Sequence, residues 1–181
     1  MPERSQANEG GSAAALPTPR RIVTGHDGDA VGTLIADGPP PVTRTIADGA
    51  TFHEIWVTPD VPAPIAATEP EPIGANQPLG PPPGGARVRI CDMPPGVRSP
   101  MHRTESVDYG VVLSGEITLV LDGAETVLRA GDVAIQRGTD HAWENRSAQP
   151  ARILFVLVSG RFESEFTAML PAGAQITEHV D

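Results

Sequence analysis

The chain has 181 residues and a formal net charge of −10, set by 23 acidic side chains against 13 basic ones, a length that suits one domain with extensions and excludes a multidomain machine. Every basic residue is an arginine and Cys91 is the single cysteine, which excludes Schiff-base, pyridoxal-phosphate and P-loop chemistry, an internal disulfide, a cysteine-clustered zinc site and an iron–sulfur cluster. The arginines are scattered and the longest purely apolar run, Ile153 to Val158, is six residues, so nucleic acid and membrane are not expected as partners, and a cytoplasmic location is.

Residues 1–19 are polar, rich in small residues and punctuated by proline. They cannot bury enough surface to offset ordering entropy and are expected to form a disordered tail, with no apolar stretch long enough for a signal-peptide core. From 20 to 58, β-type runs alternate with turn signals: RIVTG, AVGTLIADG, VTRTIADG and TFHEIWVT. These predict three or four peripheral strands. Residues 59–84 hold nine prolines and three glycines, which neither a helix nor a ladder accommodates, so a long loop is expected there, acting as a lid or an interface arm.

From Gly85 to about residue 160 the strand signals become dense: ARVRICDM, PMHRTES, VDYGVVLSG, EITLVLDG, ETVLRAG, DVAIQRG, DHAWENR and ARILFVLVSG. Short strands at this spacing predict a closed or two-sheet all-β architecture. Ile117, Leu119 and Leu121 share one face by parity, whereas RILFVLV is apolar on both faces and belongs at the centre of a sheet. In 161–181, Phe162, Phe166 and Met169 recur at helical spacing before Pro171, which predicts one short helix packed on the barrel. The strands are too closely spaced for crossover helices, which argues against a parallel α/β fold.

Two of the five histidines, His102 and His141, fall in the dense β region with Asp108 between them. A barrel brings inward-facing residues of separate strands together, and two imidazoles with one carboxylate make a facial triad with open positions. That set suits a borderline transition ion rather than calcium or magnesium; iron(II) leads, with manganese, nickel and zinc behind. The competing reading for all three is a set of hydrogen-bonded interior residues.

Gly96 to Gly115 reads GVRSPMHRTESVDYGVVLSG, and Gly131 to Asn145 reads GDVAIQRGTDHAWEN. The first resembles the opening motif of the cupin superfamily, a glycine, five residues, His-x-His, a glutamate and a terminal glycine; the second is similar to the closing motif. Thr104 stands where the second histidine belongs and Asp108 where the glutamate does. The segments HRT, DYG and QRGT-HAW resemble those of small stand-alone bacterial and fungal cupins. The resemblance implies an RmlC-like jelly roll over residues 85–160 with a strand extension before it. It also implies dioxygenase, decarboxylase, cyclase or dehydratase chemistry on a small carbonyl or carboxylate compound bound directly to the metal.

Around that centre, Thr104 and Gln136 are candidate polar positioners, and His141 is a candidate proton carrier besides a ligand. Trp143 shares parity with His141 and either walls a substrate pocket or fills the core. Gly110 shares the face of Asp108 and would leave space beside the metal, and Arg137 is a candidate clamp for a substrate carboxylate. Arg87 and Arg89 are expected to face solvent opposite Val88 and Ile90, unless the Val88 and Ile90 face is the outer one. Cys91 is expected to be inert and His53 to be exposed or satisfied within its strand; His26 and His179 carry no case. Strand edges left by so small a barrel need covering, so a homodimer is expected. The rival to an enzyme is a non-catalytic module that binds or senses a small molecule.

Overall fold

The fold is that of a computed structural model, described over residues 15–66, 70–75, 78–171, 174 and 176. Eleven strands and one helix follow in order: β1 (Arg21–His26), β2 (Gly32–Gly38), β3 (Val42–Thr45), β4 (Thr51–Thr58), β5 (Ala86–Met93), β6 (Ser106–Ser114), β7 (Glu116–Leu121), β8 (Glu125–Arg129), β9 (Val133–Arg137), β10 (His141–Glu144), β11 (Ala151–Ser159) and α1 (Ser164–Met169). All pairings are antiparallel. A six-stranded sheet runs β3-β4-β5-β11-β6-β9 and a three-stranded sheet runs β10-β7-β8, while β1 and β2 form a separate hairpin. This is an all-β, two-sheet architecture of the kind the strand spacing predicts, and the jelly roll that the resemblance implies.

The strands fold where alternation lets one face be buried. In β5 every second residue is buried, in β6 Ser106, Asp108, Gly110 and Val112 are, and β9 alternates in the same way. β11, apolar on both faces, lies between β5 and β6 at the middle of the large sheet. Ile117 and Ile153 are wholly buried and Leu119 nearly so, within a core that includes Cys91, Met93, Val112 and Trp143. The β6–β7 turn needs Gly115: its φ is +75°, and a Cβ there would lie 2.6 Å from the Pro150 carbonyl oxygen.

Several expectations need correcting. PMHRTES is not a strand; it is a loop joined to β10 by one isolated bridge, His102 opposite His141. The expected strand extension is present: four strands precede the proline-rich stretch, and β3 and β4 add to the edge of the large sheet, with β4 paired along β5. Arg87 and Arg89 are 2% and 5% exposed, because the parity of β5 turns Arg87, Arg89, Cys91 and Met93 inward together. Helix α1 has no buried residue and Met169 is 75% exposed, so it does not pack on the barrel as a whole; Phe162 and Phe166 stack on each other and Arg103 covers the Phe166 ring.

The described part of the proline-rich stretch is docked. Arg21 pairs with Glu71, Ile73 is buried, and the carbonyls of Leu79 and Gly80 accept hydrogen bonds from Arg89 and Arg87. Of the polar tail, residues 1–14 lie outside the described residues, and the Pro17 carbonyl accepts a hydrogen bond from Arg152. His179 also lies outside them. Among the described residues, no helix is long and apolar enough to cross a membrane.

Candidate functional site

One cavity of about 190 Å³ is lined from both sheets. The large sheet supplies Phe52, Arg89, Cys91, Met93, Asp108, Phe155 and Leu157, and β10 supplies His141 and Trp143. Its rim is the β3–β4 turn at Ile46 to Ala50, the Ser99–Thr104 loop with His102, and Leu79 and Gly80 of the proline-rich stretch. Three of the sequence-derived ligands, His102, Asp108 and His141, therefore share one cavity with Thr104 and Trp143.

Ladder register explains who meets whom. Across the large sheet, Arg87, Leu157, Asp108 and Gln136 lie directly opposite one another in turn, and one row further along so do Glu54, Arg89, Phe155, Gly110 and Ala134. Inward parity gives the first row the acid and the second the aromatic wall.

Both histidines are oriented by backbone carbonyls. His102 Nδ1 is 2.9 Å from the Pro100 carbonyl oxygen, and His141 Nδ1 is 3.0 Å from that of Thr139. A carbonyl only accepts, so Nδ1 carries a proton in each ring, and in the neutral form of the ring Nε2 keeps its lone pair. The Gln136 amide nitrogen, 3.2 Å from His141 Nδ1, spends its protons on the carbonyl and hydroxyl of Thr139, at 2.8 and 3.1 Å. The two rings have centroids 4.2 Å apart. Burial, and then the neighbouring His102, push the His141 pKa down to about 4, so its ring is neutral at neutral pH.

Asp108 is 6% exposed, and its Oδ1 has no hydrogen-bond partner among the described residues. Burial raises its pKa to about 6; the Ser106 hydroxyl and the charges of His102 and Arg89 pull the other way. Ser106 Oγ in turn is 2.8 Å from Thr104 Oγ1, so Thr104 connects to Asp108 through Ser106. This end of the cavity thus offers two imidazole lone pairs and a carboxylate oxygen. An excess of buried acceptors is costly unless a cation or a donor joins them.

Those donor types fit a transition ion, and Nδ1–H bonded to a carbonyl is how ligating histidines are commonly held. Their arrangement is not a ready-made cage: among the described residues, no three His, Cys, Asp or Glu side chains are grouped to hold a metal ion. Closing a three-ligand set needs a side-chain movement at Asp108 or at a histidine.

The other candidates fall differently. Trp143 is both core and wall, 6% exposed and edge-on to Phe155 at a centroid distance of 5.1 Å. Gly110 does not leave space beside a metal. A Cβ there would lie 3.2 Å from atoms of both Phe155 and Trp143, so the glycine gives room to the two rings. Gln136 is buried behind His141 and does not line the cavity; it holds Thr139, whose carbonyl in turn holds the imidazole. Arg137, next along β9, faces outward and is exposed, away from the cavity. Cys91 is buried with its thiol pKa raised by desolvation, an inert wall residue. His53 is satisfied between Thr43 and Asp92.

Sequence reasoning missed Arg89, Phe52, Phe155 and the Leu79–Gly80 rim. A signal existed for Arg89: it shares strand parity with Cys91 and Met93, whose apolar character marks that face as the inner one.

Comparison with known proteins gives the following. The Cupin domain family matches residues 89–157. The chain is 40% identical over 154 residues to the phomopsin biosynthesis cluster protein D of Diaporthe leptostromiformis, covering 81% of each chain. It is 34% identical over 155 residues to the cupin-domain-containing oxidoreductase fogC of Aspergillus ruber, covering 80% of this chain and 74% of that one. An RmlC-like cupin structure from Shewanella frigidimarina NCIMB 400 superposes with a TM-score of 0.47 at 14% identity, over 69% of this chain and 87% of that one.

Proposed function

The chain belongs to the cupin domain family, and from that premise we propose that it is a cupin-type oxidoreductase acting on a small, largely apolar organic molecule held in the cavity between its two sheets. Relatives named as cupin-domain-containing oxidoreductases support the reaction class. Relatives named for the phomopsin and oryzines biosynthesis clusters support a small-molecule substrate. The observation that carries the reading is that one cavity gathers the acceptors Nε2 of His102, Nε2 of His141 and Oδ1 of Asp108 beside the apolar side chains of Trp143, Phe155 and Leu157.

In this proposal His102, Asp108 and His141 hold one divalent transition metal, iron(II) before manganese, nickel or zinc. When bound, such an ion supplies Lewis acidity and, if iron, dioxygen chemistry. The chain's own residues supply the rest. The Thr139 carbonyl, beside the Gln136 amide that holds it, fixes the tautomer of His141, Thr104 is linked to Asp108 through Ser106, and the aromatic wall excludes water. With no lysine and with Cys91 inert, proton movement in the cavity falls to Asp108 or a histidine.

The test is elemental analysis of protein purified without a histidine tag, followed by oxygen uptake of the iron(II)-loaded protein with a panel of small aromatic carbonyl compounds. Substrate-dependent oxygen consumption supports the oxidoreductase. Product without oxygen consumption selects lyase chemistry. The uncaged arrangement of the three ligands favours a second reading, a binding module without turnover; ligand binding with neither metal nor product in any reconstituted sample would establish it.

A further inference from the structure

We propose that Arg89 is the anion anchor of the cavity, so that the molecule bound there is compact and mostly apolar, with a carboxylate at the end away from the histidines. The inference deepens the proposed function and rests on its choice of this cavity as the substrate site.

Arg89 occupies a position on the inward face of β5 where its neighbours in parity are Cys91 and Met93. A guanidinium is expensive to bury there unless its donors are used. They are used incompletely. Nη2 donates to the Leu79 carbonyl at 2.9 Å and to Glu54 Oε1 at 3.0 Å, whereas Nε is buried with no hydrogen-bond partner among the described residues. Glu54 is not a dedicated counterion: Oε1 also accepts from Arg44 at 3.2 Å, and Oε2 accepts from Arg87 at 3.2 Å. One carboxylate is shared by three guanidiniums.

The group is also held in place. Its carbon Cζ lies 4.5 Å from the centroid of the Phe52 ring, which supports one face of the guanidinium. With both Nη2 protons already donated, Nε–H is a donor left for a carboxylate oxygen, and a group held in this way loses little freedom on binding one. In a chain of net charge −10, an anion is admitted only where a local cation outweighs the general repulsion, and Arg89 is the guanidinium lining this cavity among the described residues.

Register sets the span. Phe155 lies directly between Arg89 and Gly110 across the sheet, so two strand spacings, about 10 Å, separate the backbone at Arg89 from that at Gly110, and Asp108 lies two residues further along the same strand. The wall between them is Phe155 and Trp143. The cavity therefore recognises an anionic oxygen at one end, an apolar or aromatic middle, and a reacting portion at the histidines.

The test is calorimetric titration of benzoate and of its uncharged analogue benzamide into the protein, as purified and after treatment with a chelator. Wild type should bind benzoate at least about tenfold more tightly than benzamide in both states. Arg89→Gln should bring benzoate down to the benzamide level, and Arg89→Lys should keep part of the preference. Equal binding of the two probes by wild type overturns the proposal, as does absence of benzoate binding at millimolar concentration; neither depends on a variant folding. Retention of the preference in Arg89→Gln also overturns it. No turnover is read, so the two readings fail separately. Arg89-dependent benzoate binding without oxygen uptake removes the oxidoreductase alone, and oxygen uptake with an indifferent Arg89 removes the anchor alone.

Discussion

Asp108 on β6 and Gln136 on β9 lie directly opposite each other across the ladder, and each buries an oxygen that no hydrogen bond reaches among the described residues. The Asp108 oxygen lines the same cavity as the two histidines, and an unmet buried acceptor there favours a cation.

Divalent metal should therefore stabilise the fold by binding it in preference to the unfolded chain. At a hundredfold excess over the dissociation constant, the gain is about 2.7 kcal/mol. Thermal unfolding with and without iron(II) or manganese(II) under anaerobic conditions measures it. His141→Ala and Asp108→Ala should each abolish the shift and the metal content, whereas Arg137→Ala, on the exposed face of β9, should leave both unchanged.

The metal-free protein should show two opposing proton linkages. Asp108 is raised to about 6 from its ordinary 3.8, so between those values the folded chain holds a proton that the unfolded chain has released, and acidification stabilises the fold. His141 is lowered to about 4 from 6.5, so there the unfolded chain takes the extra proton and stability is lost as pH falls from 6.5 to 4. Each effect is on the order of 3 kcal/mol, and in wild type they largely cancel. Asp108→Asn removes only the first. Urea midpoints of the chelator-treated variant should fall more steeply between pH 6.5 and 4 than those of wild type; parallel profiles would refute the assignment.

Gly110→Ala should displace the Trp143 and Phe155 rings, which stand 3.2 Å from the new methyl group. Overpacking of this kind costs about 1–3 kcal/mol. The Trp143 fluorescence should shift and benzoate affinity should fall. An unchanged spectrum with unchanged affinity would mean that the rings do not form the cavity wall as described.

A homodimer is expected in solution. The β1–β2 hairpin pairs with no other strand among the described residues, and it exposes Ile22, Val31, Leu34 and Ile35. An isolated two-stranded hairpin is marginal in water, and a second copy covering it would supply what it lacks. Light scattering behind size exclusion at micromolar concentration decides the matter: a dimer that dissociates when Leu34 and Ile35 are changed to serine supports it, and a wild-type monomer sinks it.

The sequence by itself determined the two-sheet β architecture, because turn residues recur at strand spacing and alternation with period two needs no tertiary information. It also determined the central place of β11, which is apolar on both faces, and it singled out His102, Asp108 and His141, which line one cavity, by two glycine-bounded motifs. Only the tertiary structure decided which face of β5 is inner, since Val88 and Ile90 argue for one face while Cys91 and Met93, on the side of the arginines, argue for the other. The inner choice holds because Glu54 of β4 and the carbonyls of Leu79 and Gly80, all distant in sequence, meet the arginines there. Gly110 and Gln136 changed meaning for the same reason: what a small residue makes room for, and what an amide holds, depend on the side chains that other strands bring alongside.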